Sequence, residues 1–160
     1  MILINDLHCG AERKAGVTHS SAKALKEFIT NSLEGLLSKG DDVVVLGDVL
    51  DQFLISTKDL IDAYLVFVRF LERPNSKLTL VAGNHDISMR GDQVSSFALL
   101  TTVLKHRFTN VVIVGIDETL TVDGYIHIVA HHRNQELFDL TIAKVLEDCE
   151  RGDYVLLHAN

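Results

Sequence analysis

The sequence is poor in cysteine, proline and tryptophan, and these shortages exclude several classes of protein. Only Cys9 and Cys149 occur, so neither a disulfide framework nor a cysteine zinc site is expected. One proline, no tryptophan and 47% hydrophobic residues among 160 are typical of a compact chain and not of a disordered one. We therefore expect a single domain with its own hydrophobic core.

A long apolar run is also missing. The longest apolar stretch, Ala63–Val68, is far too short to cross a bilayer. The first residues, MILINDLH, contain no basic leader and no long apolar segment, so we expect no signal peptide. Because two isolated cysteines suit a reducing compartment, the sequence predicts a cytoplasmic protein with no membrane partner.

Basic residues are outnumbered by acidic ones. The chain has 15 Lys and Arg against 22 Asp and Glu, which gives a formal net charge of −7. A broad, charge-driven grip on nucleic acid usually needs a basic face, so this balance argues against such a surface. It leaves room for an enzyme of nucleic acids whose metal ions supply the positive charge at the site.

The order of apolar and polar residues predicts an α/β domain. Short apolar runs first alternate with amphipathic segments, as they do in β-α-β units. These segments predict strands at Met1–Asn5, Asp42–Leu46 and Lys77–Ala82, and helices at Ser20–Leu37, Thr57–Glu72 and Gln93–Arg107.

The last part of the chain has a different pattern. It predicts strands at Asn110–Gly115, Glu118–Val122 and Tyr125–Ala130, a helix at Gln135–Glu150 and a last strand at Tyr154–Leu157. The Asp123-Gly124 pair is a type I′ hairpin signal between two of these strands. Parallel units followed by a hairpin predict one domain, residues 1–160, with two stacked mixed β-sheets flanked by helices.

Polar residues that can bind metal directly follow three of the predicted strands. They are Asp6 and His8, then Asp48 and Asp51, then Asn84, His85 and Asp86. Because the carboxyl ends of parallel strands share one edge of a sheet, we expect these side chains to meet there. Asp6 and His8 are two residues apart, and on an extended chain they would point at the same ion. Mixed oxygen and nitrogen ligands without thiolate suit Mn²⁺, Fe or Zn²⁺ better than Ca²⁺.

These residues make up Asp6-Leu7-His8, Gly47-Asp48-x-x-Asp51 and Gly83-Asn84-His85-Asp86. In this order they resemble the first three motifs of the calcineurin-like metallophosphoesterase superfamily. The resemblance extends to the end of the chain and implies that family's sandwich of two β-sheets between helices. It also implies a dinuclear centre of two divalent metal ions, with Mn²⁺ favoured and Fe or Zn²⁺ as alternatives.

The resemblance implies a role for each of these residues. Asp6 and His8 would hold the first metal, Asp48 would bridge both metals, and Asn84 would bind the second. His85 would protonate the leaving oxygen, for which a histidine has a suitable pKa. Asp51 and Asp86 would support the site from outside the ligand set.

The remaining histidine ligand is open to two alignments, because the chain contains no Gly-His-x-His element of the kind that closes the site in this family. In the first, His158 follows the strand Tyr154–Leu157 and binds the second metal. In the second, His131 or His132 takes that role, and His158-Ala159-Asn160 is a degenerate last motif.

We favour the first alignment, because Leu156-Leu157-His158-Ala159-Asn160 resembles the fourth motif of the repair-exonuclease branch. The last strands and the final histidine motif are then expected beyond Asn160. His131 and His132 are expected at the surface or rim of the domain, outside the ligand set.

The motifs also bear on the substrate. Protein phosphatases of the family continue the second motif with Arg-Gly and end the third in Glu, whereas here Gln52-Phe53 follows and Asp86 ends the third. We therefore expect a phosphodiesterase or nuclease acting on nucleic acid, with DNA as the first candidate. The acidic chain would then need a partner protein or a further region for its grip.

Two other functions are considered. A nucleotide or small-molecule phosphatase would use the same residues in a narrower cleft. A catalytically impaired binding module with the same fold would lack metal ligands or the general acid, and the complete first three motifs argue against it.

Overall fold

The computed structural model describes residues 1–11, 19–87 and 93–159. Within these ranges the strands are β1 (Ile2–Asn5), β2 (Asp42–Leu46), β3 (Lys77–Val81), β4 (Val111–Val114), β5 (Thr119–Val122), β6 (Ile126–Val129) and β7 (Tyr154–Leu157). The helices are α1 (His19–Leu37), α2 (Thr57–Leu71), α3 (Ser96–Arg107) and α4 (Gln135–Asp148).

Local capping chemistry sets the start of the helices that follow β2 and β3. The Ser56 side chain accepts a hydrogen bond from the backbone N–H of Asp59 and so caps the start of α2. Ser95 does the same for the N–H of Ala98, and so α3 begins at Ser96 and not at Gln93 as predicted. The serine, rather than the polar run before it, marks the start of that helix.

The first sheet has the order β1-β2-β3-β4, and all of its strands are parallel. Its register aligns Asn5 with Leu46, Leu46 with Val81 and Val81 with Val114. Four strands therefore end in one row. The residues that follow them must leave the sheet at the same edge, which is the arrangement predicted for the polar motifs.

Alternating side chains give the first sheet two apolar faces. Val43, Val45 and Leu80 pack with the helices α1 to α3 around Phe67, which is fully buried. The neighbouring side chains, such as Val44 and Leu46, point to the other face and pack against the second sheet. A parallel sheet needs cover on both sides, and here the cover is helical on one side and β on the other.

The second sheet has the order β5-β6-β7, with β5 antiparallel to β6 and β6 parallel to β7. Ile126, Ile128 and Ala130 point from it into the core between the sheets. Helix α4 packs on β6, with Phe138 as its buried anchor. The layers are therefore helices, parallel sheet, mixed sheet and helix, which confirms the predicted α/β fold of two stacked sheets flanked by helices. No helix in the described ranges is long and apolar enough to cross a membrane.

Neighbouring leucines of α3 offer a test of this core. Leu100 is 2% exposed and packs among the helices and the first sheet, whereas Leu99 is 50% exposed. We predict that Leu100→Ala lowers the free energy of unfolding by about 2–5 kcal/mol, because it removes buried apolar surface and leaves a cavity. Leu99→Ala, the matched control, should change it by no more than about 0.5 kcal/mol. Urea denaturation followed by circular dichroism measures both, and equal losses would contradict this packing.

Candidate metal centre

The loops that follow β1 and β2 are joined to each other by backbone hydrogen bonds. The N–H of His8 donates to the carbonyl of Asp48 over 2.9 Å, and the N–H of Cys9 donates to that of Val49 over 3.0 Å. The N–H of Asp51 returns a bond to the Cys9 carbonyl. The pairing of the two strands thus continues past the sheet edge, and it fixes the loops that carry the first two motifs.

Three residues of these loops have left-handed backbone conformations. Asp6 has φ of 52°, His8 has 46° and Asp48 has 43°. Such angles are uncommon for residues other than glycine and persist where surrounding contacts impose them, often at functional sites. Because the chain is not extended from Asp6 to His8, the alternation that was expected to aim both side chains at one ion does not apply here.

Asp86 connects the loop of the third motif to that of the second by hydrogen bonds. Its carboxylate is 1% exposed and accepts hydrogen bonds from the backbone N–H groups of Val49, Leu50 and Gly83 at 2.9–3.1 Å. Burial raises the pKa of Asp86 to about 6, although these three donors pull it down. Asp86 therefore has the supporting position that its motif implied.

Asp48 lies at the centre of the site, with only 5% of its surface exposed. One carboxylate oxygen, Oδ2, is 3.8 Å from Nε2 of His8, and the other, Oδ1, is 3.4 Å from Nε2 of His158. Burial acts to raise the pKa of Asp48, but hydrogen bonds from His158 and from the backbone N–H of His85 outweigh it, and the pKa is lowered. The Asp48 carboxylate is therefore ionised and lies between His8 and His158.

Two groups of side chains with metal-binding atoms share Asp48. The first is His8, Asp48 and His85, and the second is Asp6, Asp48 and His158. In each group one ligand atom per residue lies within 4.8 Å of the others. Asp48 is therefore the common member of two adjoining clusters.

His158 reaches this centre from the second sheet. Its backbone N–H donates to Val129, which holds the end of β7 beside β6. Its Nε2 lies 3.1 Å from Oδ1 of Asn84, and its Nδ1 lies 3.3 Å from the Leu46 carbonyl. The hydrogen bond to Asp48, foremost, raises the pKa of His158. The structure thus places His158 and Asn84 together on the Oδ1 side of Asp48.

His85 stands at the open side of the centre, with 43% of its side chain exposed. Its Nδ1 is hydrogen-bonded to the backbone carbonyl of Asp51, which can only accept, so Nδ1 carries a proton. Its Nε2 is therefore the nitrogen that can gain or lose a proton, and it lies 4.0 Å from Oδ2 of Asp48. Its ring meets that of His8 edge to face at 5.0 Å.

Glycines leave the room that the centre needs. A Cβ on Gly47 would lie 1.9 Å from Nδ1 of His158, and one on Gly83 would lie 2.2 Å from both the backbone nitrogen and Oδ1 of Asp48. Real Cβ atoms do not approach other atoms so closely. This space, together with clustered carboxylate, amide and imidazole donors, fits divalent transition metals.

His131 and His132 are both 6% exposed, so the expectation of a surface or rim position is wrong. The reason is that the strand end turns inward: the N–H of His131 donates to Ala82 of the first sheet, and the His132 ring packs against Phe138 of α4. Burial, and then the nearby His158, lower the pKa of His131. Neither histidine belongs to the two groups around Asp48. Asn160, on which the second alignment depends, lies outside the described residues.

Cys9 follows His8 in the chain but is not among the proposed metal ligands. Its side chain is buried, and desolvation by burial raises the pKa of its thiol to about 12. The thiol is therefore neutral at physiological pH.

A family model described as calcineurin-like phosphoesterase matches residues 1–159. The chain belongs to this family. No curated protein matches it at a significant level. Membership makes the chain a metal-dependent hydrolase of phosphoesters, and the carboxylates and histidines around Asp48 are side chains that can bind the metal.

Gly83 and Gly35 provide a matched pair for testing the space within the centre. We predict that Gly83→Ala lowers the free energy of unfolding by at least about 1–3 kcal/mol and weakens Mn²⁺ binding, because the new Cβ displaces Asp48. A Cβ on Gly35 in α1 meets nothing within 4 Å, so Gly35→Ala should stabilise the helix by about 0.5–1 kcal/mol. Denaturation curves and Mn²⁺ titration calorimetry measure both effects. A Gly83→Ala protein with unchanged affinity would show that the space is not required.

Proposed function

We propose that this calcineurin-like phosphoesterase is a phosphodiesterase that cleaves nucleic acid with two divalent metal ions at the Asp48 centre. One observation carries the proposal: the two carboxylate oxygens of Asp48 face different histidines, His8 on the Oδ2 side and His158 on the Oδ1 side. A carboxylate in that position can bridge two ions. When bound, the metal pair supplies positive charge for the phosphate oxygens and lowers the pKa of water.

The proposed ligand set follows the motifs of the family. Asp6 and His8 hold the first metal, and Asn84 and His158 hold the second, with Asp48 common to both. The proximity of Asn84 to His158 supports the second set. In the structure Asp6 is grouped with Asp48 and His158, and its Oδ1 is 3.9 Å from Nδ1 of that ring. Its assignment to the first metal therefore rests on the motif. The absence of thiolate from these donors favours Mn²⁺, with Fe or Zn²⁺ as alternatives.

His85 is the proposed general acid. Its Nδ1 is fixed by the Asp51 carbonyl, so a proton carried on Nε2 can be delivered toward the centre. The exposure of the ring leaves it accessible to a bound phosphodiester, whose leaving oxygen would receive the proton.

The nucleic-acid preference rests on the motifs. Gln52-Phe53 stands where the protein phosphatases of the family have Arg-Gly, and the last strand ends in a sequence like that of the repair exonucleases. With a formal charge of −7, the chain offers little general attraction for a polyanion. We propose that DNA is the substrate and that a partner protein contributes to its grip.

Replacing His85 tests the acid role. We predict that His85→Ala reduces kcat on short single-stranded DNA by about 10²–10⁴-fold while Mn²⁺ binding is retained, because the alkoxide leaving group then lacks its proton donor. His106→Ala, at an exposed position in the last turn of α3, should leave both unchanged. Steady-state kinetics and calorimetry give the two readings. An unaltered kcat in His85→Ala would remove this residue from the acid role.

Replacing Asp48 tests the shared ligand. We predict that Asp48→Asn lowers the bound Mn²⁺ from two ions per chain to one or none, because a neutral amide is a poor bridge. Asp139→Asn, on the exposed part of α4, is the control and should bind two. Mass-spectrometric metal analysis after dialysis gives the stoichiometry. Two tightly bound ions in Asp48→Asn would contradict the bridging role.

Substrate choice has a separate test. The Mn²⁺-loaded protein should cleave bis-p-nitrophenyl phosphate and short single-stranded DNA faster than p-nitrophenyl phosphate, because the proposed substrate is a diester. Activity on the monoester alone would favour a small-molecule phosphatase. A protein inert toward all three substrates but able to bind them would favour a binding module.

A further inference from the structure

A second cluster of metal-binding side chains lies on the other face of the second sheet. His127 is on β6, where its neighbours Ile126 and Ile128 point to the core between the sheets, so His127 points to the side of α4. Cys149 ends α4, and Asp153 directly precedes β7. The cluster is therefore at the start of β7, whereas His158 and the Asp48 centre are at its end.

The side chains of His127, Cys149 and Asp153 lie close together. One ligand atom from each, namely a histidine nitrogen, the cysteine sulfur and a carboxylate oxygen, lies within 4.8 Å of the others. Nε2 of His127 is 3.3 Å from Oδ2 of Asp153, and its Nδ1 is 3.2 Å from Oγ1 of Thr121 on β5. The Thr121 contact orients the ring, as the second nitrogen of a metal-binding histidine usually requires.

We propose that His127, Cys149 and Asp153 bind one Zn²⁺ ion, which fastens the α4–β7 loop to the second sheet. Sulfur, imidazole and carboxylate are all zinc ligands, and bond lengths of about 2.0–2.1 Å to nitrogen and oxygen place tetrahedral ligands about 3.3 Å apart. The nitrogen and oxygen atoms of His127 and Asp153 are at that separation. Water completes the fourth position. A thiolate and a carboxylate also balance the charge of the ion.

A zinc site explains this cluster better than a catalytic cysteine does. Burial, and then Asp153 and Asp148, raise the pKa of the Cys149 thiol, so the free thiol stays protonated and is a weak nucleophile. Binding of Zn²⁺ displaces that proton and turns the sulfur into a ligand. No sequence pattern indicated this site, because His127 lies well before Cys149 and Asp153 in the chain and only one cysteine takes part.

The ion would act on the part of the molecule that carries His158. The loop between α4 and β7 is held in place by Asp153, which accepts a hydrogen bond from the Glu150 N–H over 2.8 Å. Among the described strands, β7 pairs with β6 alone. A metal that joins Cys149 and Asp153 to His127 would fix the start of β7 without touching the Asp48 centre.

Cobalt spectroscopy tests the site directly, because a thiolate bound to Co²⁺ gives an intense near-ultraviolet charge-transfer band that carboxylates and imidazoles do not give. The proposed ligands at the Asp48 centre include no cysteine, so Co²⁺ bound there stays silent in this band. We expect the band in the unaltered chain and in Cys9→Ala, and its loss in Cys149→Ser and His127→Ala. A chain without the band, or a band that survives Cys149→Ser, would overturn the proposal.

Thiol protection gives a second measurement that keeps Cys149 in place. In Cys9→Ala protein, Zn²⁺ should slow alkylation of Cys149 by iodoacetamide at least tenfold, as expected for a metal-bound sulfur. Asp153→Asn should raise the Zn²⁺ concentration for half-protection by at least about tenfold. Glu150→Gln, a neighbouring change outside the cluster, should not, and circular dichroism checks that each variant is folded. Alkylation that is unaffected by Zn²⁺ would refute the site whatever the activity of the Asp48 centre.

Discussion

The register of the parallel sheet is the constraint on which the rest of this structure depends. Asn5, Leu46 and Val81 lie in one row, so the three loops that follow them begin at the same height. A slip of one residue in any of these pairings would turn apolar side chains from one core to the other and would separate the loops. The packing of two apolar faces therefore also holds the carboxylates and histidines together.

Several residues of the Asp48 centre have unfavourable backbone conformations. Asp6, His8 and Asp48 have positive φ, at a cost of order 1–3 kcal/mol each, and Asp48 is a carboxylate with little contact with water. The crossed loop hydrogen bonds and the buried Asp86 offset this cost. A bound cation would stabilise the same arrangement further. Metal binding and folding of these strained loops would therefore be coupled.

Much of this could be predicted from the sequence. Apolar runs located each of the strands that the structure describes. The polar residues after β1, β2 and β3 indicated the site, because strand ends in a parallel sheet must converge. The burial of His131 was missed, since it depends on how the second sheet docks and on a bond to Ala82 that no periodicity encodes. The start of α3 and the bend between Asp6 and His8 were missed for a similar reason: single caps and dihedral angles leave little trace in a hydrophobic pattern.

His158 gives the centre a particular order of assembly. Its imidazole touches the carbonyl of Leu46, which lies 112 residues earlier in the chain. Contacts so distant in sequence carry a large loop-closure entropy, which slows their formation. During synthesis the first three motifs leave the ribosome well before β7, so the nascent chain at first lacks the histidine proposed for the second metal. Under the proposed ligand set, the docking of β7 beside β6 is therefore the step that completes the group of metal-binding side chains around Asp48.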